Sequence, residues 1–274
     1  MQMRKSIFAF ALCAVFCATA EVAVQKDGNT RPAATGRMPD VKEIVLPGEY
    51  PGHLQDCCWD GREFIYWAHT WQIIKTDLRG NIVAKIDAEW HNAGCELKDG
   101  VLYVAVCPTA EPHGGKILPW GPQSQLQVNE YDAQTLQFRK KHLLPVADRA
   151  GSLAVLKDGS FVVGCLRPGD ITPSQVRFHH LSADLQLLST HLLDHVKVKM
   201  GIETIHLHDG ILYMSCYGGP TLLVDPKTLK ETGRVKSLGG EKGIIFDGEY
   251  RWIGVTKKDP QTKQWRSKLV RVKK

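Results

Sequence analysis

The chain has 274 residues, eight of them cysteine, and a formal net charge of +6, which falls by two to +4 if Arg4 and Lys5 leave with a leader. So mild a basic excess, scattered apart from Arg271, Lys273 and Lys274, argues against nucleic acid as a partner. With 43% hydrophobic and 23% charged residues, the composition is that of a folded chain rather than a disordered or fibrous one, and the length suffices for one sizeable core.

Arg4 and Lys5 precede an apolar run from Ile7 to Cys17, and Ala18, Thr19 and Ala20 supply the small residues a signal peptidase accepts. Residues 1–20 therefore read as a cleavable signal peptide, and the mature protein is expected to be secreted or periplasmic. The run is short of the roughly 20 residues that span a bilayer. No later segment has the length and apolarity to cross one, so no transmembrane segment is expected after cleavage. Residues 21–40 are polar and aperiodic, with Gly28, Pro32 and Gly36, and read as a flexible leader. Residues 41–274 are expected to form one monomeric domain.

That domain repeats itself. Five times an apolar strand runs into an Asp-Gly pair and out into a second strand, at Asp60-Gly61, Asp99-Gly100, Asp158-Gly159, Asp209-Gly210 and Asp247-Gly248. Both residues tolerate the positive φ of a tight hairpin turn. After the first four pairs come a third and a fourth strand: Trp71 to Thr76 with Ile82 to Ile86, Leu126 to Tyr131 with Gln137 to Leu144, Val176 to Leu181 with Leu187 to Leu193, and Thr221 to Val224 with Glu231 to Val235. Each unit is a four-stranded meander of propeller-blade size. The fifth has only Gly243 to Phe246, Tyr250 to Val255 and Lys268 to Val272, while Val41 to Leu46 is unclaimed. The expected fold is thus all-β, a single β-propeller of five four-stranded blades closed by the N-terminal strand, with six blades as the alternative.

The run from Asp60-Gly61 through Ile65-Tyr66-Trp67 to Asp77-Leu78-Arg79-Gly80-Asn81 resembles the broad superfamily of propellers that includes NHL-repeat proteins and gluconolactonase-like enzymes. The resemblance covers most of the mature chain and implies a fold, since function differs widely among its bearers. Lactonase-like members have six blades and hold a divalent metal in the central channel with carboxylate and amide side chains. Those ligands have no position-by-position match here, so that activity does not carry over, and a divalent metal is left without a motif.

In a propeller, the starts of first strands and the ends of second strands converge on one rim. This collects His53, Gln55, His91, Asn92, Arg149, Glu203, Thr204, Glu241 and Lys242 from the first strands, and His69, Trp71, Cys107, Cys165, Arg167, Cys216 and Tyr217 from the second. His53 and His91 occupy matching places in adjacent blades. One can serve as a base while the other orients substrate, both can hold a metal with Glu203, or each can simply cap its own strand. Arg149 and Lys242 suit an anionic group, or rim salt bridges to Glu203 or Glu241. Trp71, Trp120 and Tyr217 can stack on a sugar ring or pack between blades.

Cleavage of a glycosidic bond needs a second carboxylate beside Glu203, and Asp56, Glu96 and Asp148 depend on the strand register. The six mature cysteines, Cys57, Cys58, Cys95, Cys107, Cys165 and Cys216, are expected mostly as buried thiols. His206 and His208, near an Asp-Gly turn, read as turn and surface residues. The long connections Pro108 to Ser124, Leu166 to Ser174 and Asp259 to Trp265 are expected to wall the rim. The expected function is binding of a small polar or carbohydrate ligand in a top-face pocket, with lyase or hydrolase chemistry using His53, His91, Arg149 and Glu203. A non-catalytic protein-interaction scaffold is the alternative.

Overall fold

A computed structural model describes residues 36–112, 116–118, 124–166, 175–194, 196 and 198–274. The segment 1–35, with the expected signal peptide and most of the leader, lies outside the described residues, as do Trp120 and Arg167.

The described residues form twenty strands and no helix. They assemble into five four-stranded antiparallel sheets, a five-bladed β-propeller. Blade 1 is β2 (Leu54–Trp59), β3 (Phe64–His69), β4 (Gln72–Asp77) and β5 (Ile82–Asp87). Blade 2 is β6 (His91–Lys98), β7 (Val101–Cys107), β8 (Gln127–Asp132) and β9 (Phe138–Leu143). Blade 3 is β10 (Ala150–Val155), β11 (Phe161–Cys165), β12 (Val176–Leu181) and β13 (Leu187–Leu193). Blade 4 is β14 (Ile202–His208), β15 (Ile211–Cys216), β16 (Thr221–Val224) and β17 (Glu231–Val235).

Blade 5 holds β18 (Ile244–Asp247), β19 (Tyr250–Lys258) and β20 (Trp265–Lys273), and its outer strand is β1 (Glu43–Tyr50). β1 pairs with β20 from Glu43↔Val270 to Tyr50↔Trp265, so strands from the two ends of the domain close the ring. Closure hides sheet edges that would otherwise remain unpaired. Described residues that precede this strand are tied to the domain. Gly36 N–H donates to Gly61 O, Met38 N–H donates to Asp247 Oδ2 at 3.1 Å, and the Met38 side chain is buried beside Ile44 and Trp252.

The turns explain why the repeats are visible. At Asp99-Gly100 and Asp209-Gly210 both residues take positive φ, as a two-residue hairpin requires. At Asp60 the carboxylate Oδ1 instead accepts N–H groups of Arg62, Glu63 and Phe64, the Asx form of the same reversal. The turns between third and fourth strands repeat a different rule. Asp132 and Asp225 each accept two following N–H groups, and Leu136 and Leu229, four residues on, sit buried with φ of 61° and 55°.

Apolar side chains fill the gaps between blades. Trp67 and Trp252, both with 0% exposure, lie in the cluster that joins blade 5 to blade 1. Burying a side chain of this size contributes about 3 kcal/mol or more. The first strands β2, β6, β10, β14 and β18 lie side by side around the axis.

Candidate functional site

Four of those five axial strands break register near their upper end. The ladder skips Gln55 between Leu54↔His69 and Asp56↔Ala68, and it skips Glu203 between Ile202↔Cys216 and Thr204↔Ser215. The same slip falls at Gly151 in β10 and between Asn92 and Cys95 in β6. A bulge inserts one unpaired residue and re-aims its side chain. In blades 1 and 4 that residue is the amide or carboxylate of the rim.

Beyond the bulges the axial strands are joined by side-chain hydrogen bonds. Asp56, with 0% exposure, accepts Cys57 N–H at 2.8 Å on Oδ1, and Cys95 N–H and the Ser152 hydroxyl, each at 3.2 Å, on Oδ2. Ser152 Oγ accepts Ile205 N–H, and Ile244 N–H donates to His206 Nε2 at 3.0 Å. Gly243 brings β18 this close, since a Cβ there would meet Cys57 N and Asp56 Oδ1. All five blades therefore meet in one hydrogen-bonded layer.

His206 is accordingly an axial residue, a correction to the surface position expected for it: it lies on axial strand β14 with its ring buried near Asp56. Its Nε2 lies 3.4 Å from Asp56 Oδ1. Because Ile244 N–H occupies the Nε2 lone pair, the imidazole is neutral. Burial pushes the Asp56 carboxyl well above its ordinary range and holds His206 down to about 3.

Above this floor, His53 and His91 converge. Gln55 Nε2 lies 3.4 Å from His53 Nε2, 3.3 Å from His91 Nε2 and 3.3 Å from Thr70 Oγ1. His53 Nδ1–H donates to Leu54 O, which leaves its Nε2 as an acceptor. Burial and the Lys242 ammonium lower the His53 pKa, while burial, then His53 and Lys242, hold His91 at about 4. Both rings are neutral near pH 7. Trp71, at the tip of the β3–β4 turn, sets its ring edgewise to His91 at 5.6 Å, and Trp265 stands 5.2 Å from His53.

Across the rim, Lys242 Nζ lies 3.8 Å from Glu203 Oε2 and 5.7 Å from the centre of the Tyr217 ring. Burial raises the Glu203 carboxyl despite this cation. Arg149 donates to Leu118 O, which ties it to the described part of the Pro108 to Ser124 connection. Its charge also acts on the Cys107 thiol, which burial pushes up to about 12.

Other expected ligand-binding residues donate to backbone groups of the scaffold. Buried His69 donates Nδ1–H to Gly52 O and packs on Tyr50, with burial holding it at about 4. Asn92 ties the β3–β4 turn to β6 through His69 O and Gln72 O, and Thr204 donates to Gly240 O. Arg167 lies outside the described residues. Asp56 is sealed in the floor, and Asp148 is held by Arg177 and His179, so neither stands beside Glu203 as a second catalytic carboxylate.

Asp148, Cys165 and His179 bring ligand-type atoms within 4.8 Å of one another. Asp148 is already satisfied there by His179 Nε2–H at 2.8 Å and by the Arg177 guanidinium, the pattern of a buried ion pair. The connection Asp259 to Trp265 is a short capped turn on lengthened β19 and β20, with pairing that continues to Lys258↔Trp265. That extension carries Trp265 over the rim.

Sheet order, the closing strand and the polar rim together define a five-bladed β-propeller with its side-chain cluster on the upper face. No family model and no curated protein matches the chain. Among solved structures it is similar to a Bacteroides caccae protein of unknown function, at 12% identity and a TM-score of 0.50, over 77% of this chain and 81% of that one. It is similar also to Myxococcus xanthus glutaminyl cyclase, at 13% identity and a TM-score of 0.51, over 85% of this chain and 100% of that one. BamB from Moraxella catarrhalis matches at 13% identity and a TM-score of 0.39, over 81% of this chain and 60% of its own. At such identities the likeness to the first two is one of fold alone.

Proposed function

We propose that this chain is an exported β-propeller that binds a small polar ligand on its upper rim, a carbohydrate carrying a carboxylate. The observation that carries the reading is the meeting of two neutral imidazoles on one amide. Gln55 has two N–H hydrogens for three acceptors, His53 Nε2, His91 Nε2 and Thr70 Oγ1. One of these three acceptors is left to receive a ligand hydroxyl. Trp71 and Tyr217 supply ring faces, and Lys242 and Arg149 supply cations for a carboxylate.

Binding is better supported than chemistry. A histidine held at about 4 is a weak base at neutral pH, which makes His91 an acceptor rather than a proton abstractor. Lyase or hydrolase activity would have to run through Glu203, whose raised pKa brings it closer to neutrality.

The test is a thermal-shift screen of the full chain against neutral sugars, uronic acids, divalent metals and a peptide with N-terminal glutamine. A ligand stabilises only the state it binds. Uronic acids are expected to raise Tm, with the shift lost in Lys242→Ala and His91→Ala. Silence across the panel would leave the interaction scaffold as the better account, and cyclisation of the glutamine peptide would replace the sugar-acid reading.

A further inference from the structure

All six described cysteines are unbridged and buried, but they are not equivalent. Cys58 in β2 and Cys95 in β6 bring their Sγ atoms to 3.7 Å across the gap between blades 1 and 2. Cys57, next in the chain, lies on the opposite face of β2, in the cluster shared with blade 5. Cys107 turns its Sγ to Ala150 O. Cys58 and Cys95 sit on axial strands that pack side by side. Cys95 N–H reaches the Asp56 carboxylate of the same strand β2.

We propose that Cys58 and Cys95 are a disulfide site that staples blade 1 to blade 2 when the chain folds in the presence of a small-molecule disulfide. In the first step one thiolate attacks a sulfur of oxidised glutathione, breaks its S–S bond and releases one glutathione thiolate. The second cysteine thiolate then attacks the protein sulfur of that mixed disulfide and releases the second glutathione. Two protein thiols are oxidised to one disulfide, one glutathione disulfide is reduced to two thiols, and the two protons lost by the cysteines are taken up by the two glutathione thiolates. At 3.7 Å the two sulfur atoms are in non-bonded contact, and a bond brings them to about 2.05 Å.

The step belongs to folding. Cys58 and Cys95 are 5% and 2% exposed, and burial works against the thiolate that exchange requires. Once the blades close, the pair is shielded from an oxidant outside. The bond would fasten the segment from Cys58 to Cys95, constraining the unfolded chain more than the folded one. An oxidising compartment is the setting that the proposed export supplies, but the chemistry is testable without it.

The full chain is unfolded with reductant, refolded in a mixture of reduced and oxidised glutathione, quenched with acid, alkylated and mapped by mass spectrometry. The expected product joins Cys58 to Cys95 and leaves Cys57, Cys107, Cys165 and Cys216 alkylated. Its Tm should exceed that of the reduced chain by about 5–10 °C, and reductant during unfolding should erase the difference. Cys58→Ser and Cys95→Ser should each fold, shown by far-ultraviolet circular dichroism, and lose both the link and the reductant effect. Alkylation of Cys58 and Cys95 in the correctly refolded chain, or a link through Cys57, overturns the proposal. Ligand binding is read separately and does not enter this result.

Discussion

Gln55 and Asp56 are neighbours in β2, yet they serve different layers. Asp56 falls after the bulge, points to the axis and joins Cys57, Cys95 and Ser152 in a closed set of hydrogen bonds. Gln55 is the bulged residue and reaches two imidazoles and a threonine hydroxyl with two hydrogens to share. Blade 4 repeats the contrast: Glu203 is bulged and meets Lys242, while His206, further down β14, meets Asp56 and Ile244. Floor and rim use the same kinds of side chain. What separates them is whether every donor and acceptor has a partner, and a one-residue slip of register decides that.

The largest effect that could break this comparison is in the floor. Asp56→Ala leaves two buried N–H groups and the Ser152 hydroxyl without their acceptor, and should cost about 3–5 kcal/mol in urea unfolding. Asp56→Asn keeps an acceptor and mimics the neutral acid, so it should cost only about 1 kcal/mol. A loss as large as that of the alanine variant would mean that Asp56 is ionised and paired with His206. Gln55→Ala, by contrast, should cost under about 1 kcal/mol and weaken ligand binding roughly tenfold.

A smaller effect follows from pH. His69 and His91 titrate at about 4 in the folded chain and His206 at about 3, all below the ordinary histidine value of 6.5. As pH falls through 6.5, the unfolded chain takes these protons first. Stability is therefore lost from about pH 6.5 down toward pH 4, at no more than about 1.4 kcal/mol per pH unit for each proton. Asp56 and Glu203, raised in the folded state, take up protons before their unfolded counterparts and soften the fall. Unfolding curves between pH 7 and 5 should show the loss, and His206→Asn should flatten the slope by up to one proton. A slope unchanged in that variant would contradict a neutral, buried His206.

The smallest effect sharpens the rim. Lys242→Gln removes a positive charge that holds down both His53 and His91, so both rings should titrate at higher pH in a histidine NMR titration, His53 the more clearly. Their direction of shift separates a rim governed by Lys242 from one governed by burial alone.

The sequence by itself determined the architecture because a propeller is written in local signals. Asp-Gly pairs mark positive-φ turns, alternating strands mark sheets, and an unclaimed strand at one end matches a missing strand at the other. The strands of blades 3 and 4 beyond the first turns, from Val176–Leu181 to Glu231–Val235, begin and end where the pattern places them. Convergence of His53 and His91 was legible for the same reason, since matching positions in adjacent blades meet on one rim. Tertiary structure alone decided which rim residues stay available. A bulge has no composition of its own, so nothing in the sequence separates Gln55 and Glu203 from Asn92 and Thr204. His69, Asn92 and Thr204 donate to backbone groups from other turns, and His206 lies near a carboxyl 150 residues away in the chain. The side-chain types at the upper face are a property of the chain, but the partners that satisfy them come from distant strands.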